Sequence, residues 1–339
     1  MYLFRNSFKI VNISMLLKKT KELLAPIIPR QGRFFRFLRK LYKNLDHQLL
    51  RFETRNQAAL SRLARKQKNI RSIRKTPEGI IVQFENGHSF IWSDPTNSDD
   101  LLTMIVAGRV SFEAEESRLL MSLIDPEQVV LDIGANIGWH SVEFCSAVGA
   151  KGKVHAFEPL PENYQLLTRN LALNYPQKAW EAYNYALGSS SGKAKLYVPT
   201  HLGLSFSSLI KDYNQDMTSA REVEVSIETL DSFMNKNQIT RIDFIKCDVE
   251  GAQLDTFRGG EKLLEKFQPL IYCEINNRDS REIFTFMEKY GYQAYHHNNK
   301  YRFKEVFDYN AKKLPDFNFL FVTPKHKTRL TEKGYAFKK

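Results

Sequence analysis

Cysteine is scarce in this 339-residue chain: Cys145, Cys247 and Cys273 are its three thiols. They lie far apart, with no CxxC pair and no zinc spacing. That argues against a disulfide framework or a cysteine-built metal site, and an odd, sparse count suits the reducing cytoplasm. Long apolar runs are missing as well. No window approaches the roughly 18 uninterrupted apolar residues of a membrane span, so no transmembrane helix is expected. The opening stretch MYLFRNSFKIVNISMLL has neither a clean apolar core nor a small-residue cleavage site, so a signal peptide is not expected. The expected place is the cytoplasm, with peripheral attachment to a membrane as the one extension.

Acids are scarce at one end only. Residues 1–75 hold 20 Lys and Arg against three acids (Glu22, Asp46, Glu53), a net +17, and the remainder holds 30 against 35, a net −5. The whole-chain +12 therefore belongs to an N-terminal extension, and the body is slightly acidic. A nucleic-acid-binding body is normally basic itself, so nucleic acid is not the expected partner. Also absent is the GxGxxG turn of nicotinamide enzymes, which disfavours an oxidoreductase.

Four segments are expected: a basic helical extension (1–75), a hairpin and helix (76–124), an α/β core (125–325) and a basic tail (326–339). Over 32–67, Phe34, Leu38, Leu41, Leu45, Leu49, Phe52 and Leu63 recur at steps near 3.6 with Lys and Arg between them. Such a basic amphipathic helix suits an anionic membrane or an acidic partner protein. The plainer reading is packing on its own domain or on a second copy, with the basic face in water. Over 76–92, apolar runs flank Asn86-Gly87, a strong hairpin turn. A helix is expected over 101–123, broken near Gly108. From there strands at 128–133, 153–157, 180–185, 241–247, 269–275, 292–296 and 317–323 alternate with helices near 138–148, 161–174, 252–266 and 279–290. That alternation implies a mainly parallel sheet covered on both faces. Extra strands around Leu196-Tyr197-Val198 and 223–227 enclose a polar loop.

The chemistry-bearing stretch is VVLDIGANIGWHS, residues 129–141. An apolar strand runs into Asp132, and the turn Gly134-Ala135-Asn136-Ile137-Gly138 leads to a helix. Glycine allows positive φ and close approach of a ligand, and Asn tolerates the left-handed region. A helix N-terminus there attracts carboxylate or phosphate. The next strand ends at Glu158, 24 residues after Gly134. An acid at that distance accepts hydrogen bonds from both ribose hydroxyls of an adenosine cofactor. The competing reading is a helix-start acid beside Pro159 and Pro161.

DIGANIG resembles motif I of class I S-adenosylmethionine-dependent methyltransferases, an acid, one residue, then GxGxG, with Asn136 at the middle glycine. In that form it resembles the FkbM family. AFEPLPENYQLLTRNLALN (156–174), ALGSSSGKAKLYV (186–198) and FIKCDVEGAQLDTFRG (244–259) are similar to further family stretches in the same order. The similarity covers about residues 100–323 and leaves the first 75 outside. It implies a seven-stranded, Rossmann-like methyltransferase sheet with 317–323 as the reversed last strand. It implies S-adenosyl-L-methionine held by Asp132 and the Gly134–Gly138 turn, with Asn136 inside it, at the methionine end. Glu158 would take the ribose, Asn184 the adenine edge, and Asp248 the space beside sulfonium and substrate. Phe112-Glu113 would close over the cofactor. Where the family often carries an acid, this chain has Gln253.

An alcohol acceptor must lose its proton near the moment of attack, so a general base is required within hydrogen-bond reach. Candidates are Asp248, Glu250, His140 and Glu274. His140 is open to a capping or packing role, and Glu250 to a helix-start role. Asp248, Glu274 and Asn276 could hold magnesium, a hard cation that prefers oxygen, although strand capping is the favoured reading for them. His296 and His297, adjacent on a strand, point to opposite faces and do not share a metal. The resulting expectation is an O-methyltransferase acting on a hydroxyl of a sugar, glycan or secondary metabolite. The alternative is a non-catalytic, cofactor-binding scaffold that docks a membrane or partner enzyme through its basic helices.

Overall fold

The computed structural model describes residues 57–77, 79–93, 101–106, 114–177, 179–199, 207–211, 220–275, 280–297, 302–306 and 318–338. The chain divides into two compact units, 1–112 and 113–339.

In the first unit, α1 (Gln57–Arg65) packs on β1 (Ile70–Thr76), which is the edge of a three-stranded antiparallel sheet with β2 (Gly79–Phe84) and β3 (Ser89–Trp92). The helix buries Leu60, Leu63 and Ala64, and β1 buries Ile70 and Ile73. Asn86-Gly87 lies in the β2–β3 connection, with Gly87 at φ 93°. Trp92 Nε1 donates to Thr103 Oγ1 at 2.7 Å, tying the hairpin to α2 (Leu101–Val106). The expected boundary at 75/76 thus falls within a strand, because β1 supplies the ladder that the hairpin alone lacks. Of the helix expected over 32–67, residues 32–56 lie outside the described residues.

The second unit begins with α3 (Ala114–Leu123). It continues through β4 (Val129–Ile133), α4 (Trp139–Val148), β5 (Lys153–Phe157), α5 (Pro161–Asn174) and β6 (Trp180–Tyr183). Next come β7 (Ala186–Leu187), β8 (Gly192–Pro199), β9 (Ala220–Glu228), α6 (Leu230–Lys236) and β10 (Phe244–Cys247). Then follow α7 (Gln253–Arg258), α8 (Glu261–Phe267), β11 (Leu270–Glu274), α9 (Ser280–Glu288) and β12 (Gln293–His297). Last are β13 (Arg302–Glu305), β14 (Asn318–Val322), α10 (Pro324–Glu332) and β15 (Ala336–Lys338).

Among the described residues the main sheet has nine strands in the order β15-β13-β12-β14-β11-β10-β4-β5-β6. β6, β5, β4, β10 and β11 are parallel, and β14 runs antiparallel to both β11 and β12. All seven expected strands are there, but the count of seven is corrected to nine. β12 would otherwise be an open edge, and an open edge invites unwanted pairing. β13 and β15 continue the ladder instead. The reversed strand is therefore not the last one, and within the expected basic tail lie most of α10 and all of β15. Leu330 and Tyr335 are buried there, Tyr335 meets Ser122 by hydrogen bond, and Arg329 pairs with Asp125 at 2.6 Å.

Alternating residues make the two sheet faces different. Leu131, Ile133, Phe157, Ile245, Cys247, Ile271 and Cys273 join the core beneath α6, α7, α8 and α9. Their neighbours Val130, Asp132, Val154, Ala156, Phe244 and Lys246 point the other way, where Phe144 of α4 packs edge-on against Phe244 at 5.9 Å. Both faces are covered, which is why these strands read as continuous apolar runs. From β4 the chain steps to β5 and β6 on one side, and β10 and β11 lie on the other. The crevice at such a reversal, outside the carboxyl ends of the strands, is where open α/β sheets bind ligands. The expected 193–228 strands pair as β8 and β9, with β7 parallel to β9, in a separate three-stranded sheet.

Candidate active site

The turn after β4 is held in left-handed backbone: Gly134 φ 80°, Asn136 φ 51° and Gly138 φ 86°. A Cβ on Gly134 would sit 1.8 Å from the Asp248 carbonyl oxygen, so the turn and the tip of β10 touch backbone to backbone. One on Gly138 would meet Leu167 Cδ1 at 2.6 Å. The turn is also stitched to β5. The Gly134 and Ala135 N–H groups donate to the Phe157 carbonyl at 3.1 and 2.9 Å. Asn136 N–H donates to Glu158 Oε2 at 2.8 Å.

Glu158 is buried, and its second oxygen accepts from Leu160 N–H at 2.9 Å. Burial pushes its carboxyl up to about 7, against the pull of those two backbone donors. A carboxylate offers about four lone-pair positions, so capacity remains for hydroxyl donors. Asn184 lies beside it, with Nδ2 donating to the carbonyls of Glu158 and Pro159 at 2.9 and 3.0 Å. Its amide nitrogen is thus spent bracing the β5–α5 corner, and its carbonyl oxygen is the atom left for a ligand.

Asp132 is 1% exposed. Ser141 Oγ donates to Oδ2 at 2.5 Å, while Oδ1 is buried with no hydrogen-bond partner among the described residues. An orphaned buried acceptor costs about 1–3 kcal/mol, which suits a donor that arrives with a ligand. Asp132, the turn and Glu158 therefore fit the methionine end and ribose of S-adenosylmethionine.

Across the reversal, Lys246 is the register partner of both Asp132 and Tyr272. It is 4% exposed, and its ammonium holds Asp248 Oδ2 at 3.1 Å. Residues two apart on a strand share a face. Glu158, Asp132, Lys246, Asp248 and Glu274 thus line the carboxyl rim on one side of the sheet.

Burial alone would raise the Asp248 carboxyl. The Lys246 charge, hydrogen bonds from Glu274 and Lys246, and the nearby His140 outweigh it, and Asp248 falls below its usual value. Glu274 goes the opposite way, to about 9, through burial, the Asp248 charge and their shared hydrogen bond. Burial and then the Asp248 charge lift Glu250 to about 7. Glu250 also sits at φ 38°, and its carbonyl accepts from Ser208 Oγ at 2.6 Å. A left-handed non-glycine residue of this kind is characteristic of functional turns. His140 is buried on α4, 3.3 Å from Glu143 Oε2 and stacked on Phe144.

The expected candidates thus fall into a group around the β4 turn (Asp132, Gly134, Asn136, Gly138, Glu158, Asn184) and a group at the β10–β11 rim (Asp248, Glu250, Glu274), with His140 close by. Glu113 and Phe112, assigned to closure, lie outside the described residues, as does Asn276. Among the described residues no group of three or more His, Cys, Asp or Glu is arranged to hold a metal ion. Sequence reasoning missed Lys246 and Ser141; Gln253, noted there only as a departure from the family's acid, donates through Nε2 to the Glu274 carbonyl at 2.8 Å. For Lys246 a signal existed: a lone lysine inside the apolar FIKC strand has to be paired, because lysine is almost never buried otherwise.

Comparison with known proteins gives a family match over residues 132–294, described as the methyltransferase FkbM domain. The chain is 30% identical to "Methyltransferase sdnD" of Sordaria araneosa, over 38% of this chain and 59% of that one. It is 28% identical to "Hexuronic acid methyltransferase AglP" of Haloferax volcanii, over 47% and 61%. It is 26% identical to "2-O-methyltransferase NoeI" of Sinorhizobium fredii, over 49% and 70%. The chain thus spans about three-fifths of the length of the first two relatives.

Proposed function

We propose, from the match of residues 132–294 to the methyltransferase FkbM domain, that the chain is an S-adenosylmethionine-dependent O-methyltransferase of that family acting on a hydroxyl of a sugar, glycan or secondary metabolite. The observation that carries the cofactor reading is the buried, unpartnered Oδ1 of Asp132 beside the Gly134 turn. Two relatives support the acceptor class, one bearing the name of a hexuronic acid methyltransferase and one of a 2-O-methyltransferase.

Asp132 would accept from the amino group of the methionine end, and Glu158 would accept from ribose hydroxyls. When bound, S-adenosylmethionine supplies an electrophilic methyl group for in-line displacement. The chain's own share is alignment, a large part of catalysis in such transfers, together with management of one proton. Asp248, anionic and steadied by Lys246, places negative charge at the rim. Glu274, protonated at neutral pH, donates to Asp248. Glu250, with a carboxyl at about 7, is poised to accept the proton of the acceptor hydroxyl. His140, tied to Glu143, orients rather than reacts. Asp248 Oδ2 already holds an ammonium, so magnesium is not favoured there.

The test is turnover: release of S-adenosylhomocysteine over a panel of hexoses, hexuronic acids and oligosaccharides. Product with at least one acceptor is expected, reduced about 10²-fold or more by Glu250→Gln. Cofactor binding without product across the panel would favour the non-catalytic scaffold.

A further inference from the structure

Methyl transfer makes no use of the basic surface on the first unit. Within 57–77 the sequence holds Arg62, Arg65, Lys66, Lys68, Arg71, Arg74 and Lys75 and no acid. All seven cations are exposed. On α1, Arg62 and Arg65 stand at i and i+3, so they share one face, opposite the buried Leu60, Leu63 and Ala64; Lys66 follows just past the helix end. Arg71 pairs with Glu85 at 3.4 Å, both half-exposed. Arg62, Arg65, Lys68, Arg74 and Lys75 have no ion pair among the described residues.

A basic edge strand can be explained as protection against strand pairing. Here that explanation is used up. Gln57 of α1 lies along the open edge of β1, its Nε2 donating to the Ile73 carbonyl at 2.8 Å and its Oε1 accepting from Lys75 N–H at 3.0 Å. The edge is already covered, and the cations of α1 guard no edge at all. Among the described residues, Arg62, Arg65, Lys68, Arg74 and Lys75 remain as like charges that an anionic partner would neutralise.

The composition of the surface selects that partner. Residues 57–77 contain no Phe, Tyr or Trp, so the rings that stack single-stranded bases are missing. The apolar face of α1 is consumed by packing on β1 and is not available to enter a bilayer core. We infer that the basic α1–β1 segment of the first unit docks on an anionic phospholipid bilayer, its exposed cations at the headgroups and none of its apolar residues inserted. Clusters of four or more Lys and Arg act in this way, each contributing to a salt-sensitive attraction.

The test is flotation of the full chain with phosphatidylserine–phosphatidylcholine vesicles and with phosphatidylcholine alone, at low and high salt. Arg62→Glu/Arg65→Glu/Arg74→Glu is the main variant. Arg65→Gln alone is the gentler control for folding, and thermal melting checks both. Residues 1–56 stay in every protein, so the difference reads this segment. Expected is binding to the phosphatidylserine vesicles only, lost at high salt, weakened roughly a hundredfold in the triple variant and several-fold in the single one. Three results would each overturn the inference: flotation of the folded triple variant equal to the unmodified chain, equal binding to phosphatidylcholine, or preference for a duplex RNA competitor over vesicles.

Discussion

At the scale of the residue, Asp132 separates function from stability. Its Oδ2 is satisfied by Ser141, and its Oδ1 is buried without a partner among the described residues. A group kept for packing would be hydrogen-bonded on both oxygens, since buried polar groups nearly always are. Asp132→Asn removes the charge a ligand amino group would meet and leaves the shape unchanged. The ligand-free melting temperature is expected to hold or rise, while S-adenosylmethionine binding weakens about tenfold to a hundredfold, the range of a charge-assisted hydrogen bond. A lower melting temperature with unchanged affinity would make Asp132 structural. The acid of DIGANIG was legible in the sequence, but its unequal oxygens were not, because they depend on which way Ser141 turns on the next helix. Lys246 escaped for a related reason: its partner Asp248 belongs to the loop, and only strand register places Asp132 alongside.

At the scale of the element, the alternation of apolar runs and turns gave strand and helix positions close to those observed, and β5 and α5 match their expected spans. The misses have physical causes. The helix expected over 252–266 is split into α7 and α8 at Gly259-Gly260. α10 and β15 were hidden in a segment rich in Lys, where few side chains besides Leu330 and Tyr335 reach the core. The β4 turn makes a sharper claim than its motif does. Its first glycine is required by backbone contact, since a Cβ would stand 1.8 Å from the Asp248 carbonyl, and its last by a flexible Leu167 methyl at 2.6 Å. Both carry positive φ, worth about 1–3 kcal/mol for another residue. Gly134→Ala is therefore expected to lose well over ~3 kcal/mol of stability. Gly138→Ala, whose neighbour can rotate, should lose only ~1–2 kcal/mol. Chemical denaturation of the two variants gives the order, and equal losses would remove the argument from backbone contact.

At the scale of the whole molecule, the proposed cofactor site joins sheet, turn and second-strand acid, and its affinity is expected to depend on pH. In the free protein Glu158 titrates at about 7, above its usual value near 4.5. The fold therefore favours the neutral carboxyl. That contribution to stability is complete below the usual value and is lost as pH rises through 7. A ligand that offers hydroxyl donors to both oxygens favours the anion, so binding below pH 7 must expel a proton. Affinity should climb as pH rises through 7 and then level, changing by up to about tenfold per pH unit on the acid side. Calorimetric titration of S-adenosylmethionine into the purified chain, repeated across that pH range and with Glu158→Ala, tests the account most directly. The expected result is micromolar-range binding that strengthens through pH 7, is sharply weakened by the substitution, and is not reproduced by NADH. A folded, unmodified chain that binds NADH but not S-adenosylmethionine would contradict it.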